Sequence, residues 1–398
     1  MDVPLYVWIL TILGILAMLA YDFLFHTRKA HVPTLKEASL WSAAYVGVAV
    51  LFGIGVLVFG GGTYGGEYFA GYITEKALSV DNLFVFLIIM SSFRVPREDQ
   101  QKVLLFGIAF ALVARTVFIF IGAALINQFA WVFYLFGLIL LLTAGNMLRD
   151  DHDEDDEKQN IMVRLARRFI HTSPEYDGDK MFTHIDGKRV LTPMLLVMVA
   201  IGGTDILFAL DSIPAIFGLT QSTFIVFTAT AFSLLGLRQL FFVIEGLLER
   251  LIYLSYGLAA ILGFIGIKLI LHALHENNLP FINDGEHVKV VEISTGLSLA
   301  VIIGVLAITV IASLFSKRGR AETAISNARR HARDYLDLGY TTDLGERERI
   351  FGLLMAEGQQ IRSLGPKYKA LAEEDPELMS QIEEARRRHD EAGGTTTV

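Results

Sequence analysis

Residues 67–93 read EYFAGYITEKALSVDNLFVFLIIMSSF, a stretch long and apolar enough to cross a bilayer that nevertheless carries Glu67, Glu75 and Asp81. A carboxylate near the bilayer centre costs about 2.5–3.5 kcal/mol even on the lenient insertion scale, so acids at that depth usually mark a pathway or a site. A second stretch repeats the pattern. Thr74-Glu75, five residues, then Asp81-Asn82 matches Thr204-Asp205, five residues, then Asp211-Ser212. Two acid-bearing apolar segments with one spacing point to a duplicated membrane module, with its function at the seam.

Composition agrees. The chain is 53% hydrophobic and 19% charged, with a mean hydropathy of +0.49, whereas soluble domains average about 25% charged residues. It has no cysteine, which excludes disulfides, thiolate metal sites and thiol catalysis. No nucleophile elbow, P-loop or dinucleotide fingerprint occurs, so nothing argues for an enzyme or for nucleotide drive. The N-terminal run lacks the basic flank of a signal peptide and reads as a span.

Apolar runs of spanning length fall at roughly 4–25, 40–60, 66–93, 102–126, 129–148, 192–217, 223–247, 250–272 and 291–315. They predict an all-α membrane protein of nine transmembrane helices. Basic residues alternate between the connections: Arg28, Lys29 and Lys36 follow the first helix, Arg94, Arg97 and Lys102 the third, and Lys317, Arg318 and Arg320 the ninth. By the positive-inside rule the N-terminus lies outside and the C-terminal tail in the cytoplasm. Ala114-Arg115-Thr116-Val117-Phe118 is echoed by Leu237-Arg238-Gln239-Leu240-Phe241. Helices three to five thus match helices six to eight. Three helices per copy is an odd number, so the copies are expected to be inverted, with a site at the midplane where they meet.

The predicted organisation is a transmembrane domain over 1–316 and a helical cytoplasmic tail over 317–398. Within the first, repeat one covers about 66–148, a cytoplasmic connector about 149–191 and repeat two about 192–272. The connector opens on an acidic cluster, Asp150 to Glu157, which is either a solvated charge run or a weak cation-collecting surface. Ile161 to His171 has the pattern of a helix lying on the leaflet, and Asp186-Gly187 that of a tight turn.

Residues six apart on a straight helix stand about 9 Å apart along its axis and about 120° apart around it. Either each acidic helix serves two levels of a path, or it breaks between its acids; Gly71, Gly202-Gly203 and Pro214 favour breaks. Opposite orientation places Glu75 with Asp211 and Asp81 with Asp205, as two carboxylate pairs at two levels. Asn82, Ser212, Thr74 and Thr204 add neutral oxygens, and Arg115 and Arg238 are the expected charge partners. Four carboxylates and two guanidiniums sum to a charge of −2, which one divalent cation balances. Oxygen-only ligands suit Mn²⁺, Ca²⁺ or Mg²⁺ better than Zn²⁺ or Cu⁺. The plainer alternative is that each acid pairs an arginine and locks helices together. His272, His275 and Glu276 read as interfacial residues with a weaker claim to an external metal contact. Glu67 reads as a vestibule ligand or an interface residue, Lys268 as a snorkelling side chain, and Glu245 and Glu249-Arg250 as interfacial charges.

At these motifs the sequence resembles the TerC/Alx family of integral membrane proteins. The match is carried by Glu75-Lys76-Ala77-Leu78-Ser79-Val80-Asp81-Asn82 and by Thr204-Asp205-Ile206-Leu207-Phe208-Ala209-Leu210-Asp211-Ser212-Ile213-Pro214-Ala215-Ile216. Arg115, Arg238, Tyr256-Gly257-Leu258-Ala259 and Gly266-Ile267-Lys268 support it. The resemblance implies Mn²⁺ export, from Alx-like members, and tellurite resistance, from the family name. Asn146 departs from it, standing where a lysine echoing Lys268 is expected. The expected function is secondary export of a divalent cation, Mn²⁺ foremost, in exchange for protons, with Glu75, Asp81, Asp205 and Asp211 as metal ligands. No resident cofactor is expected. The expected partners are the bilayer and the metal ion, with no nucleic acid. The competing class is a non-transporting scaffold that assists membrane-protein assembly or a metal or tellurite stress-resistance complex.

Overall fold

The computed structural model describes residues 3–24, 35–93, 95–129, 131–148, 180–185, 188–244, 253–277, 282–283, 286–336, 344–363 and 376–391. The acidic cluster at 150–157, the segment 161–171, Asp186-Gly187, Glu245 and Glu249-Arg250 lie outside the described residues.

The protein is an all-α membrane protein. Its helices are α1 (Leu5–Asp22), α2 (Leu35–Gly60), α3 (Gly62–Ser92), α4 (Arg97–Gln128) and α5 (Val132–Met147), then α6 (Pro193–Phe217), α7 (Thr223–Leu234), α8 (Leu237–Ile244), α9 (Leu254–His275) and α10 (Thr295–Phe315). The polar helices α11 (Lys317–Leu336), α12 (Leu344–Ser363) and α13 (Pro376–Glu391) follow. A short hairpin, β1 (Phe182–Ile185) and β2 (Lys188–Leu191), pairs antiparallel with Ile185 opposite Lys188.

Among the described residues six helices, α1, α2, α4, α6, α9 and α10, are long and apolar enough to cross a membrane, and the bent pair α7–α8 makes a seventh span if counted as one. Large apolar side chains face outward along them, among them Leu5, Leu51, Val58, Phe59 and Ile308. In water such a surface would drive aggregation; in a bilayer it meets a solvent as apolar as itself.

The interior is assembled around α3, α4, α6 and α7, which pack on one another. Trp8 of α1 stands edge-on to Phe224 of α7 at 4.9 Å, and the Tyr68 hydroxyl of α3 donates to the Ala49 carbonyl of α2 at 3.0 Å. Helices α5 and α9 cross where Gly137 meets Gly266. A Cβ on Gly137 would stand 2.9 Å from the Gly266 carbonyl oxygen, so only glycine admits this approach.

The breaks are not where the sequence suggests. Both α3 and α6 run unbroken through their acids. Pro214 sits in the last turn of α6, where its missing N–H frees one carbonyl near an end that frays in any case. The break falls instead in the seventh predicted span. Leu235 is extended and Gly236 has φ +78°, so α7 and α8 meet at 42°. Glycine is required there by the left-handed backbone and by the Tyr45 side chain, which would stand 2.7 Å from an added Cβ.

The chain divides into two compact units, Met1–Ile244 with Ser255–Ala307, and Glu245–Leu254 with Ile308–Val398. The second therefore takes in the end of α10, where the Tyr253 amide donates to Ser313 Oγ at 3.1 Å. Its helices α11, α12 and α13 enclose a core of their own that includes Ala328, Tyr335, Phe351, Leu354, Leu378 and Ile382. His389 stacks on Phe351 within that core, with ring centroids 3.7 Å apart.

Candidate functional site

Helix α3 carries Thr74, Glu75, Asp81 and Asn82, α6 carries Thr204, Asp205, Asp211 and Ser212, and α4 threads Arg115 between them. Arg115 is completely buried, as is Glu75, and Asp205 is 2% exposed. The guanidinium forms an ion pair with Glu75. On its other side Nη2 donates to Asp205 Oδ1 at 3.1 Å, and Nε faces Oδ2 at 3.5 Å. Nη1 donates to Ser212 Oγ at 3.3 Å. With the Asn82 amide turned so that donors meet acceptors, its oxygen accepts from Nη2 at 3.1 Å and its nitrogen donates to the Leu78 carbonyl at 3.0 Å. One planar fork thus joins both acidic motifs, a geometry that arginine satisfies and lysine does not.

This corrects the expected pairing. Glu75 and Asp205, assigned to different levels by the sequence argument, share one guanidinium. Asp211 is half-buried and lies within electrostatic reach of Arg115, and Asp81 is half-buried beside Asn82. Thr204 hydrogen-bonds its own helix, Oγ1 to the Ala200 carbonyl at 2.7 Å. Thr74 Oγ1 and Ser79 Oγ are buried on α3 with no hydrogen-bond partner among the described residues. Hydroxyls so placed keep lone pairs available to a ligand. Among the described residues no group of three or more His, Asp or Glu side chains converges closely enough to hold a metal ion.

Arg238 is the second correction. The expected partner of the repeat's acids pairs instead with Asp22 at the end of α1: Nε to Oδ2 at 3.2 Å and Nη2 to Oδ1 at 2.8 Å. Gln101 of α4 accepts from its Nη1, and Gln239 donates to Asp22 Oδ1 at 2.7 Å. All four side chains are buried. The cause is the break at Gly236, which starts α8 on a new axis and turns Arg238 toward α1 and α4. Sequence reasoning missed Asp22, Gln101 and Lys76. Asp22 closes an apolar run where a charge looks ordinary. Lys76 looks like the neighbour of an acid, but its ammonium donates to the Ser233 and Leu235 carbonyls at 2.9 and 3.4 Å. It thereby caps the free C-terminal end of α7 at the break.

Other residues flagged by the sequence lie apart from this hub. Glu67 accepts from the Thr220 hydroxyl at 2.5 Å. Lys268, expected to snorkel, donates to Ser298 Oγ of α10 at 3.2 Å. His272 pairs with Gln221 at 2.7 Å and lies 3.6 Å from Glu276, while His275 stands 3.2 Å from Glu292.

Comparison with known proteins gives a consistent picture. The model described as "Integral membrane protein TerC family" matches residues 61–321. An uncharacterised membrane protein of Mycobacterium tuberculosis is 58% identical over 380 residues, covering 94% of this chain and 96% of its own. An uncharacterised membrane protein of Myxococcus xanthus is 40% identical over 311 residues, 78% of this chain and 92% of its own. A protein of Escherichia coli K12 named as the membrane-bound redox modulator Alx is 38% identical over 303 residues, 74% of this chain and 89% of its own. No solved structure matches.

Proposed function

Because the chain belongs to the TerC family of integral membrane proteins, we propose that it is a secondary transporter exporting a divalent metal cation, Mn²⁺ foremost, from the cytoplasm across a bacterial cytoplasmic membrane. The observation that carries the reading is the meeting of the two acidic motifs at one buried guanidinium. Buried acids from two like-spaced motifs are costly at membrane depth, and supplying a path for a cation is a recurrent reason to keep them. Glu75, Asp81, Asp205 and Asp211 are the proposed metal ligands, with Asn82, Ser212, Thr74 and Thr204 supplying neutral oxygens. Carboxylate, amide and hydroxyl oxygens suit a hard cation. When the metal leaves, desolvation disfavours bare carboxylates, so protons moving the other way complete the cycle.

The proposed architecture counts α7–α8 as one span and adds α3 and α5 to the membrane helices, giving nine spans. Helices α3 to α5 form one repeat, and α6, α7–α8 and α9 form its inverted copy. The N-terminus is outside and the tail cytoplasmic, following the alternation of basic connections.

The second reading is a membrane scaffold, and one observation favours it: both buried acids at the hub already have a cationic partner. A redox role through thiols has no residue to carry it, since the chain lacks cysteine. Measuring Mn²⁺ movement in vesicles reconstituted with the purified protein separates the readings. A transporter moves the metal and loses that movement in Asp211→Asn; a scaffold moves none.

A further inference from the structure

Arg115 and Arg238 occupy matching places in the two sequence copies, yet they have different surroundings. Arg238 touches Asp22 and Gln101, and Gln239 donates to the same Asp22; none of the three belongs to the acidic motifs. Arg115 touches Glu75, Asp205 and Ser212, and reaches Asn82. Each of these belongs to the ligand set proposed for the transported metal. The guanidinium spends its donors on the oxygens a cation needs, and its burial is complete.

We propose that Arg115 is a tethered stand-in for the transported cation. The guanidinium fills the carboxylate site whenever the metal is absent, and an entering metal displaces it. The inference rests on the transport reading above and adds a reason for the arginine. A proton-exchanging exporter returns without metal, and any carboxylate that its protons leave charged would stand bare in a low-dielectric interior, a costly state. One built-in positive charge lowers that cost. Guanidinium and metal compete for the same oxygens, so binding of one opposes binding of the other. That competition also accounts for the lack of an open three-acid metal cluster among the described residues: the arginine holds the acids in its own geometry.

The test compares net Mn²⁺ efflux, exchange of radiolabelled for unlabelled Mn²⁺, and Mn²⁺ affinity. It uses the purified full chain in liposomes held at one pH on both sides. For Arg115→Gln, which keeps an amide donor but no charge, the affinity should rise about tenfold because the competitor is gone. Exchange, in which the site returns with metal bound, should fall by less than about threefold, while net efflux should fall by at least about tenfold. Arg115→Lys, which keeps the charge without the fork, should recover part of the net efflux; it also serves as the assay should the glutamine variant fail to fold. Its affinity should then still exceed that of the wild type. Weakened Mn²⁺ binding in the folded variants, with net efflux and exchange falling in parallel, would make Arg115 a structural clamp and overturn the inference alone. Absence of both fluxes in the folded wild type would overturn the transport reading itself.

Discussion

Removing the Asp22 carboxylate should destabilise the membrane unit by about 3–5 kcal/mol, the usual consequence of breaking a buried ion pair from one side. The magnitude follows from what the carboxylate holds. It accepts from Arg238 Nε and Nη2 at 3.2 and 2.8 Å and from Gln239 at 2.7 Å, and Tyr45 adds a hydrogen bond. In Asp22→Ala the 3%-exposed Arg238 keeps its charge but loses its carboxylate partner, with the Gln101 amide oxygen still accepting from it. Asp22→Asn retains an oxygen acceptor and should lose less, about 1.5–3 kcal/mol, the worth of one hydrogen bond to a charged group. The double variant Asp22→Leu/Arg238→Met removes both charges and should recover most of the loss, since a packed apolar pair can replace a buried ion pair. Unfolding of the purified chain in detergent, followed by tryptophan fluorescence, provides the assay. A loss below about 1 kcal/mol for Asp22→Ala, or no recovery in the double variant, would refute the claim that this pair clamps α1 to α8.

Asp81→Asn and Asp211→Asn should each lower Mn²⁺ affinity by at least about tenfold in equilibrium binding while the protein still accumulates in the membrane, since each removes a proposed anionic ligand; unfolding with normal affinity in the intact fraction would make these acids clamps. Lys76→Met leaves the Ser233 and Leu235 carbonyls uncapped and should cost about 1–3 kcal/mol of stability, read by the same fluorescence assay. Gly266→Val places side-chain atoms against the Gly137 carbonyl, 3.1 Å from the Cβ position alone. It should lower the amount of folded protein recovered from membranes, whereas Gly304→Val, with open space around it, should not. In the tail, Leu354→Ala should cost about 2–5 kcal/mol, seen as faster hydrogen exchange over 317–391 with metal flux retained.

The family and the membrane class were legible in the sequence because each rests on local pattern, as does the presence of the two acidic motifs. Spanning helices announce themselves by length and apolarity, and an acid inside one stands out against its neighbours. Pairing was not legible. The expected repeat symmetry assigns equal roles to Arg115 and Arg238, but a left-handed glycine at 236 breaks the seventh predicted span and turns Arg238 to Asp22, more than two hundred residues away in sequence. The helix breaks were misplaced for a related reason. Pro214 and Gly202-Gly203 are strong local signals, yet packing on α3, α4 and α5 holds α6 together through them. Lys76 shows a third kind of miss: its partners are main-chain carbonyls of another helix, and no side-chain pattern points to them.

The central claim is that the two acidic motifs form one cation-transport site. Its most direct test is Mn²⁺ movement through the purified full chain in liposomes, measured for the wild type beside Glu75→Gln and Asp205→Asn. Mn²⁺-dependent flux is expected in the wild type and its loss in both variants, with all three proteins folded. A folded wild-type protein that moves no Mn²⁺, or variants that move it as well as the wild type, would contradict it.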